Sequence, residues 1–506
     1  MDTPSPAKSL DLPANGPIPG RSGDPHRRVL VVSVPHRAEE LPSEVGRSHY
    51  SYRFVYEAFA PLLARWGTVQ EITRPESRLD YAVWKARQQG CQAYYLGFTP
   101  MHTAYVSPRV TCIGYPFWEF PDIPAVNLHN NPRNNWARVA EHFQLLLSAC
   151  NFTRDAFAKA GVKTPVHVLP VPINSDYFRL PPWKKGQKVV LETPSYVCPQ
   201  NDETPGPQSP WVDERLQVGK LDRFRHAYRD AIRSRLPKRV DRWMTYVFRT
   251  AYMYRRVQAE DTKIAATASS QLDLEGVVYT TVLNPFDERK NWCDLLSAYL
   301  CALADCPDAL LVVKLVLPAT LMIPGMNGVL SRYRQMGLSH RCRIAFVPAY
   351  LTSAQMFELA RGSTYYVNAS FAEGACLPLQ DFLAAGRPGI APVHSAMADY
   401  FDAEVGFTIE AHAEPAAWLH DPSGRYSTTW QRPVWESLFN QFRASYAVAK
   451  QNPARHAALG DQGRQRMNQY ASSDKVWPLL CAALDSVAAR EKQTPSAAQE
   501  QIRLAS

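Results

Sequence analysis

Along this chain, short runs of apolar residues alternate with longer stretches in which apolar side chains recur every three or four positions. Residues 28–34, 93–97 and 110–114 are apolar runs bounded by polar or turn residues, the pattern of strands covered on both faces. Residues 52–66 have helical spacing, 143–150 are apolar, a helix opens at 153–157, and 166–171 closes this first series. A second series comes after it. Residues 277–283, 309–317, 343–347 and 365–370 read as strands. Trp292, Leu295, Leu296, Tyr299 and Leu300 lie on one helical face, and Thr352 and Ser353 open a helix through Met356, Leu359 and Ala360. Residues 435–449, 457–470 and 476–488 predict amphipathic helices at the end. Strands alternating with helices predict parallel sheets with helices on both faces, and two such series predict two Rossmann-like lobes. A chain of 506 residues is long enough for both cores.

Two segments carry chemistry. In Glu373-Gly-Ala-Cys-Leu-Pro-Leu-Gln-Asp381, a strand-type run leads into a loop with a carboxylate and a glycine. Pro378 then stands at the first helical position, Asp381 in the first turn, and Gly386 at the stop. This layout offers backbone N–H groups and a helix N-terminus to an anion, with a carboxylate on either side to meet hydroxyl groups. A nucleotide sugar has that shape: diphosphate between ribose and sugar. The second segment is Asn284-Pro-Phe-Asp-Glu-Arg289-Lys290-Asn291-Trp292. Arg289 and Lys290 fall near a helix N-terminus, where positive charge opposes the helix dipole unless an anion binds there.

The first segment resembles the donor-binding motif of the family-4 retaining glycosyltransferases, Glu-Gly-Phe-Gly-Leu-Pro-x-x-Glu. Glu373 and Asp381 hold the two acidic positions, and Gly374, Leu377 and Pro378 match. Ala375 and Cys376 stand where the family tends to have Phe-Gly, and Asp381 is one methylene shorter than the usual Glu. The resemblance implies the GT-B fold, two Rossmann-like lobes around a cleft, and transfer of a sugar from a nucleotide donor to an acceptor hydroxyl with retention. It implies that Arg289 and Lys290 stabilise the departing diphosphate, that Glu373 holds the donor sugar and that Asp381 holds the ribose. In this family the Arg usually precedes the Lys by about five residues; here Pro285 occupies that place. Gly374, Ala375, Cys376, Leu377, Asn284 and Asn291 complete the expected donor site. In the first lobe the candidates facing the cleft or the acceptor are Gly46, His49, Glu119, in a Trp-Glu pair, and His129. No cofactor beyond the donor is expected, and no metal: the sequence has no metal-ligand spacing and no Asp-x-Asp at a strand end, Asp273-Leu-Glu275 reading as a turn.

Composition adds a second theme. The net charge of +9 is concentrated in residues 211–257, which hold 13 Arg and Lys against 5 Asp and Glu. Within them Val240, Trp243, Met244, Val247, Phe248, Ala251 and Tyr252 keep helical spacing, with Arg239, Arg242, Arg249 and Arg256 beside them. Such a helix fits either an anionic membrane surface or packing on the protein itself. Nucleic acid is not expected, because no recognition module accompanies the charge. The expected organisation is a disordered tail (1–27), an acceptor lobe (28–178), a Pro-rich linker with a basic helical insertion (179–275), a donor lobe (276–430), C-terminal helices (431–490) and a disordered tail (491–506). Ten scattered cysteines without a Cys-x-x-Cys pair suit reduced thiols in the cytoplasm. If the basic helix meets membrane, the acceptor would be a lipid-linked carbohydrate and the pathway cell-surface glycan assembly. The competing readings are a non-catalytic GT-B-like scaffold at the membrane and a retaining phosphorylase.

Overall fold

A computed structural model describes residues 27–40, 45–46, 49–198, 269–417 and 426–493. The basic stretch 211–257, with the amphipathic helix expected in it, lies outside the described residues.

The first lobe is a six-stranded parallel sheet of β1 (Arg27–Ser33), β2 (Thr68–Ile72), β3 (Cys91–Gly97), β4 (Cys112–Gly114), β5 (Leu145–Ser148) and β6 (Val166–Val168), in the order β2-β1-β3-β4-β5-β6. Leu30 and Val32 of β1 enter one core and Val29 and Val31 the other, so both faces are covered and the strand carries no polar alternation.

The second lobe begins with β7 (Lys188–Cys198) and β8 (Ser269–Glu275), which pair antiparallel with each other. Next come β9 (Val277–Leu283), β10 (Ala309–Leu315), β11 (Arg343–Val347), β12 (Tyr365–Val367), β13 (Gly389–Pro392) and β14 (Gly406–Ile409), the parallel part of an eight-stranded sheet. Its order is β14-β13-β12-β9-β10-β11-β7-β8, with β7 antiparallel to β11. The chain runs outward from β9 to β11, then returns to lay β12 on the other side of β9. That reversal makes the β9/β12 junction a switch point, where crossovers leave in opposite directions and a crevice opens at the strand ends. The motifs after β9 and β12 both emerge there.

Asp273–Glu275 is strand, not the expected turn: Leu272 and Leu274 point into the core while Asp273 faces outward beside Lys188. The two ends of the stretch expected to be linker and insertion thus belong to the second sheet. A further antiparallel pair, β15 (Ala411–Ala417) and β16 (Ser427–Pro433), lies where the sequence pattern predicts no strands.

Helices Trp435–Gln451 and Pro453–Ala471 pack on the second lobe through Leu438, Phe442 and Met467. The last helix, Ser473–Gln493, returns to the first lobe, where Val476, Leu480, Leu484 and Val487 join Leu30, Val55 and Phe59 in one core. Asp485 fixes it by accepting from Trp66 Nε1 at 3.2 Å and pairing with Arg28 at 2.9 Å. Where the chain crosses between lobes the two passages touch: Ile173 N–H donates to the Ala471 carbonyl at 2.9 Å. Among the described residues no helix is long and apolar enough to cross a membrane.

Candidate functional site

The loop after β9 turns sharply because Asn284 Oδ1 accepts from Phe286 N and Asp287 Oδ1 accepts from Arg289 N. A short 3-10 turn, Glu288–Lys290, then projects both basic side chains toward the end of β12. Strand β12 ends at Val367, earlier than the apolar run suggests, which frees Asn368 and Ser370 to turn into the site.

Glu373 lies at the centre, only 5% exposed. Its Oε1 accepts from Lys290 Nζ at 2.7 Å, Ser370 Oγ at 2.7 Å and Asn368 Nδ2 at 3.1 Å. Arg289 NH1 lies 3.8 Å from Oε2. Burial alone would raise this carboxyl, but Lys290 and Arg289 outweigh it and pull it down to about 2. Glu373 is thus ionised at neutral pH, and its pairing stabilises the fold fully above the ordinary carboxylate range, fading as pH falls through about 2.

Arg289 has several protein partners. It donates to the Ala372 carbonyl (2.8 Å) and Asp287 Oδ2 (2.8 Å), and reaches Glu119 of the first lobe at 3.4 Å. Burial works against its charge, yet Glu119, Asp287 and Glu373 together hold the guanidinium above its usual range. It is a bridge between lobes, and it brings the Trp-Glu pair of the first lobe to the cluster. Tyr50 also lies there: burial, with Asp287 and Glu373 next, raises its hydroxyl and keeps it neutral.

The loop between Glu373 and the helix Leu377–Ala384 has an asymmetric hydrogen-bond pattern. Its carbonyls are used: Gly374 O by Cys150 Sγ, Ala375 O by Gln380 Nε2 and Tyr400 OH, Cys376 O by Leu379 N. The N–H groups of Gly374, Ala375, Cys376 and Leu377 have no partner among the described residues. Successive unpaired N–H groups around a left-handed residue form an anion-binding concavity. Here that residue is Cys376, at φ 55 and ψ 57, a conformation costing a non-glycine residue roughly 1–2 kcal/mol. Asn291 supplies another donor without a partner among the described residues, its buried Nδ2.

Asp381 departs from expectation in position. It is the fifth residue of its helix, on the second turn rather than the first, because the helix starts at Leu377. Burial raises its carboxyl to about 8, and its charge would bear on the hydroxyls of Tyr177 and Tyr366. The folded chain therefore retains a proton that the unfolded chain releases near pH 4, so this group's contribution to stability declines as pH rises from about 4 to about 8. Asp381→Asn is expected to melt higher than the parent at pH 8, by roughly 1 kcal/mol or more, and to match it near pH 4. Melting curves at the two pH values check this; an equal difference at both would contradict it.

Of the first-lobe candidates, Gly46 and Glu119 reach the second lobe. The Gly46 carbonyl accepts from Asn284 Nδ2 at 3.0 Å. Gly46 has φ 86, and a Cβ there would sit 2.7 Å from the Val316 carbonyl oxygen and 2.9 Å from Pro318 Cδ. Gly46→Ala is accordingly expected to destabilise the closed arrangement by about 2 kcal/mol or more, read by melting together with the radius of gyration. The His49 ring lies 5.4 Å from that of His102 in the first lobe. His129 is exposed on the turn Leu128–Asn130.

Sequence reasoning missed Asp287, Asn368, Ser370, His394 and Ser395. Asp287 and Ser370 stand inside or beside the two motifs. His394 and Ser395 carry no local signal; Ser395 Oγ accepts from the Glu373 N–H at 3.0 Å and lies 3.0 Å from His394 Nδ1. No three His, Cys, Asp or Glu side chains among the described residues are grouped to hold a metal ion.

No family model and no curated protein matches the sequence. Solved structures do match in shape. A glycosyltransferase from Rickettsia africae aligns over 91% of this chain and 98% of its own, at 9% identity and a TM-score of 0.50. HepE of Anabaena, solved with UDP and glucose, covers 91% of this chain and 100% of its own (13% identity, TM-score 0.48). Sucrose-phosphate synthase of Thermosynechococcus elongatus covers 92% and 100% (11% identity, TM-score 0.49). The two parallel Rossmann-like sheets, the returning C-terminal helix and the likeness to the Rickettsia enzyme establish that this chain has the GT-B fold.

Proposed function

We propose that the protein transfers a sugar from a nucleoside-diphosphate donor to an acceptor hydroxyl with retention of anomeric configuration. The observation that carries this reading is the row of N–H groups at Gly374–Leu377, unpaired among the described residues, beside the Lys290–Glu373 pair at the switch point. The N–H groups and Lys290 take the diphosphate. Glu373, kept ionised by Lys290 and Arg289, accepts hydrogen bonds from the donor sugar hydroxyls. Asp381, protonated near neutrality, can donate to a ribose hydroxyl as well as accept from one.

As the anomeric carbon–oxygen bond breaks, its electron pair stays on the phosphate oxygen. Donors already aimed at that oxygen stabilise the growing charge; one such donor is worth about 3–4 kcal/mol in well-placed cases. The acceptor oxygen bonds to the anomeric carbon on the face that the diphosphate leaves, and its proton passes to the departing phosphate. This last step follows the resembled family and needs no separate protein base.

The test is to incubate the protein with UDP-, GDP- and ADP-sugars and a panel of glycoside acceptors, following nucleoside diphosphate release and the anomeric proton by NMR. Release with a retained anomeric centre is the expected result; an inverted product would contradict it. One observation favours the scaffold reading: Glu119, Asp287 and Glu373 outnumber Arg289 and Lys290, the two cations they pair with among the described residues, so both positive charges are already met before an anion enters. Tight nucleotide binding without turnover would favour that reading, and sugar release dependent on free phosphate would favour a phosphorylase.

A further inference from the structure

The first-lobe helix Pro75–Gln88 buries Leu79, Ala82, Val83 and Ala86 in one core with Val29, Val31 and Tyr95. At about 100° per residue, the direction opposite that buried face is held by Ser77, Tyr81, Trp84 and Gln88, which form one exposed stripe along the helix. A helix that only has to be solvated places charges on that pole. This stripe has none, and it carries both aromatic side chains of the helix: Tyr81 is 64% exposed and Trp84 56%. The two rings stack on each other, 5.9 Å apart at 28°. One exposed ring needs no explanation, but two stacked on the crest of a helix make an apolar patch.

Charge stands beside the stripe rather than on it. Arg78 and Lys85 lie along one flank, with Arg74 at its N-terminal end, and none of the three has an ion pair among the described residues. The other flank is mixed: Glu76 and Asp80 stand there with Arg87. Asp80 is already answered, by Arg109 at 3.6 Å and by Ser107 Oγ, which donates to it at 2.6 Å. One side of the aromatic crest is thus purely basic, with long stems that can lie along the rings while their charges reach past them. We propose that this face docks on an anionic lipid bilayer, with Tyr81 and Trp84 at the level of the headgroups and Arg74, Arg78 and Lys85 on the lipid phosphates. Charge complementarity selects that occupant. Tyr and Trp rings settle in the interfacial zone, and unpaired basic side chains beside them meet the negative surface of such a membrane. The same juxtaposition marks helices that lie in an interface without crossing it. A neutral glycan could stack on the rings but would leave the basic flank unanswered.

This contact depends neither on the transfer reading nor on the basic stretch 211–257. The test is flotation of the full chain with phosphatidylcholine vesicles, with and without phosphatidylglycerol. The chain should float with the anionic vesicles alone, and salt should release it by screening the surface charge. Tyr81→Ala combined with Trp84→Ala should weaken binding about tenfold or more, through the apolar area lost. Arg78→Glu combined with Lys85→Glu should weaken it about a hundredfold, since each basic residue near such a surface is worth roughly fivefold. None of these four side chains is buried, so both variants should melt with the parent, which separates lost docking from lost folding. No flotation, flotation that does not need the anionic lipid, or flotation that either variant retains in full would overturn the proposal. Retention on a neutral glucan or mannan, lost in the aromatic variant and without vesicle binding, would assign the face to a glycan instead.

Discussion

Lys290→Ala is expected to destabilise the protein by about 3–5 kcal/mol at pH 7 and to lower turnover by a factor of about 100 to 1,000. The first effect comes from what Lys290 leaves behind. Glu373 is 5% exposed, and without the 2.7 Å ammonium its charge is opposed only by Arg289, 3.8 Å away and already held by Asp287 and Glu119. In the variant the Glu373 carboxyl rises, so protonation relieves the problem. The deficit against the parent should shrink as pH falls from 7 toward 4. Denaturant unfolding at both pH values measures this. A deficit independent of pH would mean that Glu373 is not the group left exposed to the loss. Lys290→Arg, which keeps the charge, should recover most of the stability.

The second large effect is expected at Arg289. Arg289→Met removes a side chain that touches Glu119 of the first lobe and Asp287 and Glu373 of the second. Three carboxylates then face a single ammonium, and a loss of about 3–5 kcal/mol is expected, with a larger radius of gyration as the lobes separate. Adding Glu119→Gln removes one of the stranded charges, so the double variant should be more stable than Arg289→Met alone. A double-mutant cycle gives the coupling; strict additivity would refute the bridge.

The elements legible in the sequence are those whose signal is local. Residues 343–347 read as a strand because every side chain is apolar after Arg343, and β11 has those bounds. The helix at Ser353 is visible through Thr352, which forms a capping box with Gln355. The helix Met322–Gln335 is hidden by Pro324, Gly325 and Gly328, which read as breakers although Pro324 falls in the first turn. β7 and β8 are obscured because their partners lie about eighty residues apart; only the alternation of Val189, Leu191 and Thr193 marks β7 as half-buried.

The same division runs through the site. Glu373, Arg289 and Lys290 are recognisable because the motifs are contiguous, and they do converge. That Arg289 spends its charge on carboxylates is not legible, since Glu119 is 170 residues away and Asp287 looks like part of a solvated turn. His394 and Ser395 enter only because β13 runs beside β12 and delivers them to the same end of the sheet.

We propose the crevice between Lys290 and the Gly374–Leu377 loop as the site for a nucleoside diphosphate. The most direct measurement is thermal unfolding of the full chain with UDP, GDP and ADP and their sugar conjugates, each variant compared with its own ligand-free baseline. A ligand at about 100 times its dissociation constant adds nearly 3 kcal/mol, a readily visible rise in melting temperature. Such a rise is expected with one nucleotide class, reduced in Lys290→Ala and in Lys290→Met. A folded protein whose melting no nucleotide or conjugate shifts would contradict it.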